Sequence, residues 1–162
     1  NILKVRNNIR SVNPSALVIE AASPIKVEKP EIITGKRVLV IEDGPTLTHG
    51  EMEYGAGMIA AWNYGAKEII DPRPYTVNSI SDTYKKYPKI GQLLPAMGYG
   101  EEQMKDLEVT INRTDCDSVV IGTPIDLGRL LKINKPYTRV KYELQEIGDL
   151  TIEKILKDRK FI

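Results

Sequence analysis

Val38-Leu39-Val40-Ile41-Glu42-Asp43-Gly44-Pro45-Thr46-Leu47-Thr48-His49-Gly50 is the stretch whose reading decides the fold. Its first four residues are apolar without interruption. Such a run reads as a strand buried on both faces, as in a parallel sheet covered by helices. A polar loop follows to Tyr54. After it comes a helix over about 55–64, whose Ala56, Gly57, Ala60 and Ala61 let it pack close to a sheet.

The same alternation spreads outward from this stretch. Ser118-Val119-Val120-Ile121 is a second buried strand, and Glu68-Ile69-Ile70 a third. Residues 92–96 read as a weak strand, because Pro95 removes a ladder donor. Ala16-Leu17-Val18-Ile19 reads as a short buried strand. Residues 137–144 alternate polar with apolar and read as a half-exposed strand at an edge. Helices fall between them. Ile2, Val5, Ile9 and Val12 form a stripe at spacings of three, four and three. Ser79 with Asp82 reads as a capping box opening a helix to about residue 87. Met104, Leu107 and Ile111 mark another helix face. Thr123 and Pro124 suit an N-cap and first helical turn, and 151–162 forms a last helix. Residues 25–36 read as a connector. Strands alternating with helices predict an α/β fold, a mostly parallel sheet flanked by helices in a Rossmann-like, three-layer arrangement.

Composition removes several classes of function. The 162 residues are one domain by length. Lys and Arg number 23 against 22 Asp and Glu, a net charge of +1, so no broadly basic nucleic-acid surface is expected. One cysteine excludes an internal disulfide framework. No apolar run approaches the ~20 residues of a membrane span, and no signal peptide is visible. A cytoplasmic location is the expectation. Gln occurs three times while Lys, Glu and Ile are frequent, which leans toward a heat-adapted source. The chain starts at Asn1, already inside a helical stripe, so we expect a portion of a longer protein.

Ligands of open α/β sheets bind beyond the carboxyl ends of the strands. Every loop after a predicted strand here is rich in polar residues, Gly or Pro. Glu42 and Asp43 are candidates for Mg²⁺ or its water shell, since magnesium takes oxygen ligands. Thr46 and Thr48 offer hydroxyls to phosphate or metal. His49, the lone histidine, either contacts phosphate or acts as acid or base, or is a structural hydrogen bonder beside a tight turn. Arg73, between two prolines, is either a pre-organised phosphate ligand or a salt bridge on a stiff turn. Gly98, Tyr99 and Gly100 precede a helix whose N–H groups suit an anion, unless Glu101 and Glu102 occupy that end. Thr123 and Asp126 sit in Gly-Thr-Pro-Ile-Asp-Leu, which resembles the base-reading loop of guanine-nucleotide-binding proteins without its Asn-Lys pair. The alternative is a plain helix start. No phosphate loop and no Gly-x-Gly-x-x-Gly occurs in the chain.

Together, Val18–Pro24, Val40–Gly50, Asp71–Tyr75, Leu94–Gly100 and Gly122–Leu127 resemble the cyclic 2,3-diphosphoglycerate synthetase family, also described as predicted GTPases. The resemblance covers about residues 2–147. Family members are longer and carry a phosphate-loop region upstream, so the chain is similar to their C-terminal portion. The resemblance implies ATP- and Mg²⁺-dependent closure of 2,3-diphosphoglycerate into an intramolecular phosphoanhydride. It implies a small phosphorylated substrate and, as partners, the upstream nucleotide-binding region and a second copy in a dimer. On that reading His49, Asp43 and Arg73 are the catalytic candidates. Thr46, Thr48, Gly98, Tyr99, Gly100, Thr123 and Asp126 are binding candidates. A GTPase-like protein and a non-catalytic dimerisation or regulatory module are the alternatives.

Overall fold

The computed structural model describes residues 1–48, 52–98 and 100–161, Thr46 by its backbone alone. In chain order it runs α1 (Ile2–Val12), β1 (Glu20–Ala22), β2 (Ile25–Val27), β3 (Arg37–Asp43), α2 (Gly44–Thr48), α3 (Ala56–Asn63), β4 (Glu68–Ile69) and α4 (Asn78–Lys86). It continues through β5 (Leu94–Ala96), α5 (Glu101–Arg113), β6 (Ser118–Ile121), α6 (Leu127–Leu130), β7 (Tyr137–Tyr142), β8 (Gln145–Ile147) and α7 (Ile152–Asp158). No helix among the described residues is long and apolar enough to cross a membrane. The chain divides into two compact units, one of residues 25–142 and one of residues 1–24 with 143–162.

The larger unit is a six-stranded sheet in the order β2-β7-β6-β3-β4, with β5 also on β3. β3 runs parallel to β4, β5 and β6, and β6 parallel to β7, while β2 is antiparallel to β7. The α/β architecture with a mostly parallel sheet is therefore as expected. Alternate residues of a strand face opposite sides, and β3 uses both. Val38 and Val40 join Val120 and the Ala60, Ala61 and Met58 side chains of α3 in one core. Leu39 and Ile41 join Val119, Ile121, Ile80 of α4, and Leu107 and Ile111 of α5 in the other. This is why the run Val38–Ile41 carries no polar residue: all four are fully buried.

Three strand expectations change. β5 is wholly buried, despite Pro95. It pairs with β3 at Ile41–Asp43 and, among the described residues, with no other strand, so the missing Pro95 N–H falls on an edge away from β3. β7 is interior, because β2 covers it: Ile25, Lys26 and Val27 pair with Tyr142, Lys141 and Val140. That short strand lies within 25–36, the stretch read as a connector, along with a 3-10 turn at Pro30–Ile32. Residues 16–19 are not a strand. The ladder begins at β1, whose three residues are all exposed.

The smaller unit holds α1, the antiparallel pair β1–β8 and α7. The Glu143 N–H donates to the Pro24 carbonyl at 3.2 Å. Thr151 caps α7, its hydroxyl accepting the Lys154 N–H at 3.1 Å.

Candidate functional site

After β3 the chain lays β4 and β5 along one side of that strand, then crosses to place β6 on the other. Open α/β sheets bind ligands where the strand order switches direction in this way, outside the carboxyl ends. Here that place lies at the ends of β3 and β6, where Glu42 is buried.

Glu42 is 2% exposed. Its Oε1 accepts the N–H of Met58 at 2.9 Å and of Gly55 at 3.2 Å, and the Gly57 N–H adds to them. These donors open α3, whose first N–H groups have no partner within the helix. A carboxylate satisfies them and suits the positive end of the helix dipole. Burial pushes the Glu42 carboxyl above the usual carboxylate range, and the neighbouring Asp43 charge adds to the rise. The three N–H bonds oppose it.

Three glycines make room for this carboxylate. A Cβ on Gly55 or on Gly122 would lie 2.5 Å from Glu42 Oε2, and one on Gly57 would lie 3.1 Å from Oε1 and 2.9 Å from Val40. A methyl group at any of these positions displaces something. The Glu42 carboxylate thus ties the end of β3 to the start of α3 and lies against the end of β6. It also ties together the two ends of the segment between Asp43 and Gly55, the segment that carries Thr46, Thr48 and His49.

The other expected site residues fall in several places. Asp43 is half-buried at the tip of β3, in register with Ala96. Gly44 packs on Ala96 and Met97, where a Cβ would come within 2.5 Å of the Met97 sulfur. The loops after β3, β5 and β6 therefore meet, as expected for a parallel sheet. The segment read as loop from Glu42 instead continues β3 to Asp43 and then winds as α2. The Thr48 hydroxyl closes that turn by donating to the Gly44 carbonyl at 3.0 Å. His49, Tyr99 and the Thr46 side chain lie outside the described residues.

Gly98 and Gly100 precede α5, with Glu101 and Glu102 in its first turn. Gln103 leans over Gly98, and the cavity beside them holds about 10 Å³, room for one water. Arg73 engages its own loop: its Nε donates to Asp71 Oδ1 at 2.9 Å. That guanidinium holds the Asp71 carboxyl below the usual range. Thr123 is buried, and its Oγ1 accepts the Ile125 N–H at 3.4 Å. The helix expected from Thr123 starts later, at Leu127 with Asp126 as N-cap, since Thr123 spends its hydroxyl on the loop itself. Asp126 Oδ2 accepts from Arg139 Nη1 at 2.9 Å and pairs with Arg129 Nε at 3.4 Å. Arg139 Nη2 also donates to the Pro124 carbonyl at 3.2 Å, so this cluster fastens the loop after β6 to β7. The Ser79 capping box is replaced as well. Ser79 Oγ donates to Asp106 of α5 at 2.7 Å, and Val77 is the N-cap.

No protein-family model and no solved structure matches the chain. The chain is similar to the arginine synthetase ArcE of Thermococcus kodakarensis. Identity is 63% over 158 residues, which is 98% of this chain and 35% of that protein. The chain spans about a third of the length of the curated relative it matches. The relative's name differs from that of the family which the loop segments resemble, and it shares the word synthetase with it.

Sequence reasoning singled out Glu42 but missed what surrounds it. The signal lay in Gly55-Ala56-Gly57 and in Gly122, glycines placed just before a helix and just after a strand. The oxygen arrangement also bears on a metal. Glu42 Oε1 is committed to N–H donors, and Oε2 lies against the Gly55 and Gly122 backbone. Among the described residues no group of three or more His, Cys, Asp or Glu stands together.

Proposed function

We propose that this chain is one portion of a synthetase, a ligase-type enzyme, whose product is arginine. The observation that carries the reading is the 63% identity with a protein of that name across nearly the whole chain. A synthetase couples an unfavourable condensation to nucleotide cleavage, and the proposal assigns ATP and Mg²⁺ to that step. The phosphate-binding loop then belongs to sequence outside this chain, since none occurs here. Within the chain, the carboxyl ends of β3, β5 and β6 are assigned to the activated substrate. Asp43 is assigned to the phosphate-borne Mg²⁺ and His49 to phosphate, while Thr48 holds the turn that leads to it. Glu42 acts as a positioning residue, fixing both ends of the segment that carries them.

A second reading rests on the stretch Glu42–Gly50, the most specific part of the resemblance noted above. It assigns the same strand ends to 2,3-diphosphoglycerate and its closure to the cyclic phosphoanhydride. One experiment separates the two on the longer polypeptide that contains this chain. Any ligase reaction also runs backward, so the co-substrates of arginine formation need not be known. Arginine-dependent formation of ATP, from ADP with phosphate or from AMP with pyrophosphate, is expected. Its absence, together with ATP-dependent appearance of a cyclic phosphoanhydride in phosphorus NMR, would replace the first reading by the second.

A further inference from the structure

The smaller unit has a feature that a folded unit cannot keep to itself: none of its described residues is buried. Every side chain of the hydrophobic core comes from residues 33–140. Yet the unit is not polar. On α1, Ile2 is 75%, Val5 57% and Val12 87% exposed, and Ile9 is half-buried. These four fall on one stripe of the helix. A helix of 11 residues is marginal in water without a tertiary partner, and an exposed contiguous apolar face marks an interaction surface.

We propose that the apolar stripe of α1 is a docking face for the remaining part of the same polypeptide, the part lying outside residues 1–162. The inference rests on the reading that this chain is a portion of a synthetase of the relative's length. Two observations choose this occupant. The relative matches 98% of this chain, while this chain matches 35% of the relative, so the rest of such a protein is large enough to cover the stripe. The charge on α1 opposes the main alternative. Lys4, Arg6 and Arg10 flank the stripe and no acidic residue lies on the helix. Arg6 is paired with Glu20, so a two-fold dimer through this face, which sets the same patch against itself, brings Lys4 and Arg10 of one copy onto those of the other. The complementary face therefore has an apolar centre with a carboxylate rim.

The test is hydrogen exchange of the Val5–Asn13 amides, read by mass spectrometry, in residues 1–162 and in the longer polypeptide. The expected result is at least about 100-fold slower exchange in the longer polypeptide, as docking of a marginal helix gives. Val5→Asp combined with Val12→Asp in the longer polypeptide is expected to erase that protection. Asn7→Asp, on the opposite side of the helix, is expected to leave it. Equal exchange in the two proteins overturns the proposal. Protection already present in residues 1–162 and lost on dilution also overturns it, and assigns the stripe to a second copy. Protection that appears in a longer polypeptide forming no ATP from arginine upholds the docking and overturns the synthetase reading instead.

Discussion

β3 and α1 carry equally regular apolar patterns and meet opposite fates. Val38, Leu39, Val40 and Ile41 are each fully buried, whereas Ile2, Val5 and Val12 are more than half exposed. A periodic pattern states which face of an element is apolar. It does not state what covers that face. For β3 the cover is in the chain: α3 on one side, α4 and α5 on the other. For α1 no described residue completes a core, and the stripe becomes a statement about something else.

The largest expected effect breaks the covered side of this comparison. Leu39→Ala removes a fully buried side chain between β3 and α5 and is expected to cost about 3 kcal/mol, because the packed core cannot fully collapse onto the gap. Urea unfolding of residues 1–162 reads it as a lowered midpoint with an unchanged slope. A loss below about 1 kcal/mol would show that the two-sided core is loosely packed.

A somewhat smaller effect is expected at the switch point. Gly122→Ala places a methyl group 2.5 Å from Glu42 Oε2 and 2.7 Å from the Gly57 nitrogen. Backbone yields less readily than a flexible side-chain end, so the expected cost is about 2 kcal/mol. Gly91 has nothing within 4 Å of its would-be Cβ, and Gly91→Ala is expected to be neutral or slightly stabilising through the unfolded state. Equal unfolding midpoints for the two variants would dismiss the glycine cradle around Glu42.

How far this was legible in the sequence depends on whether a neighbour's identity mattered. Val38–Ile41 and Ser118–Ile121 read as buried strands and are buried strands, whereas the equally apolar run Ala16–Ile19 reads the same way and forms no strand, so an apolar run in line needs a neighbouring strand to settle it. β5 could not be read alone either, because a proline in a strand is tolerated or not according to whether its outer edge is paired. β2 was hidden by its length of three residues with Lys26 in the middle. For the site, the convergence of loops after β3, β5 and β6 followed from the parallel sheet. The burial of Glu42 did not follow, because a glutamate at a strand end reads as a rim residue until the glycines packed on it are known. Asp126 and Arg73 each found a partner on the protein, Arg139 and Asp71, which spacing alone leaves open.

The Glu42 carboxyl gives a pH signature. In the unfolded chain it loses its proton near 4.5, and burial raises that value in the folded state. Below the ordinary value both states hold the proton. As pH rises through the window between the two values, the unfolded chain ionises first and stability falls, and above the folded value the loss is complete. Glu42→Gln keeps an accepting oxygen for Gly55 and Met58 but cannot ionise. Its stability relative to the parent protein is therefore expected to rise across that window and then level. Urea midpoints of both proteins between about pH 4 and pH 8 measure it, and parallel curves would mean that Glu42 does not change its proton affinity on folding.

The smallest effect belongs to the uncovered side. Val5→Ala in residues 1–162 deletes two methyl groups that are already more than half in water, and alanine is the better helix former. The expected change in unfolding free energy is within about 0.5 kcal/mol, the range of ordinary surface substitutions. The same substitution in the longer polypeptide is expected to cost about 1–2 kcal/mol once the stripe is covered, because the deleted groups are then core groups. One residue measured in two contexts thus turns the contrast between β3 and α1 into a number. A cost above about 1 kcal/mol in residues 1–162 would mean that these residues alone cover the stripe, and the two regions would differ in degree only.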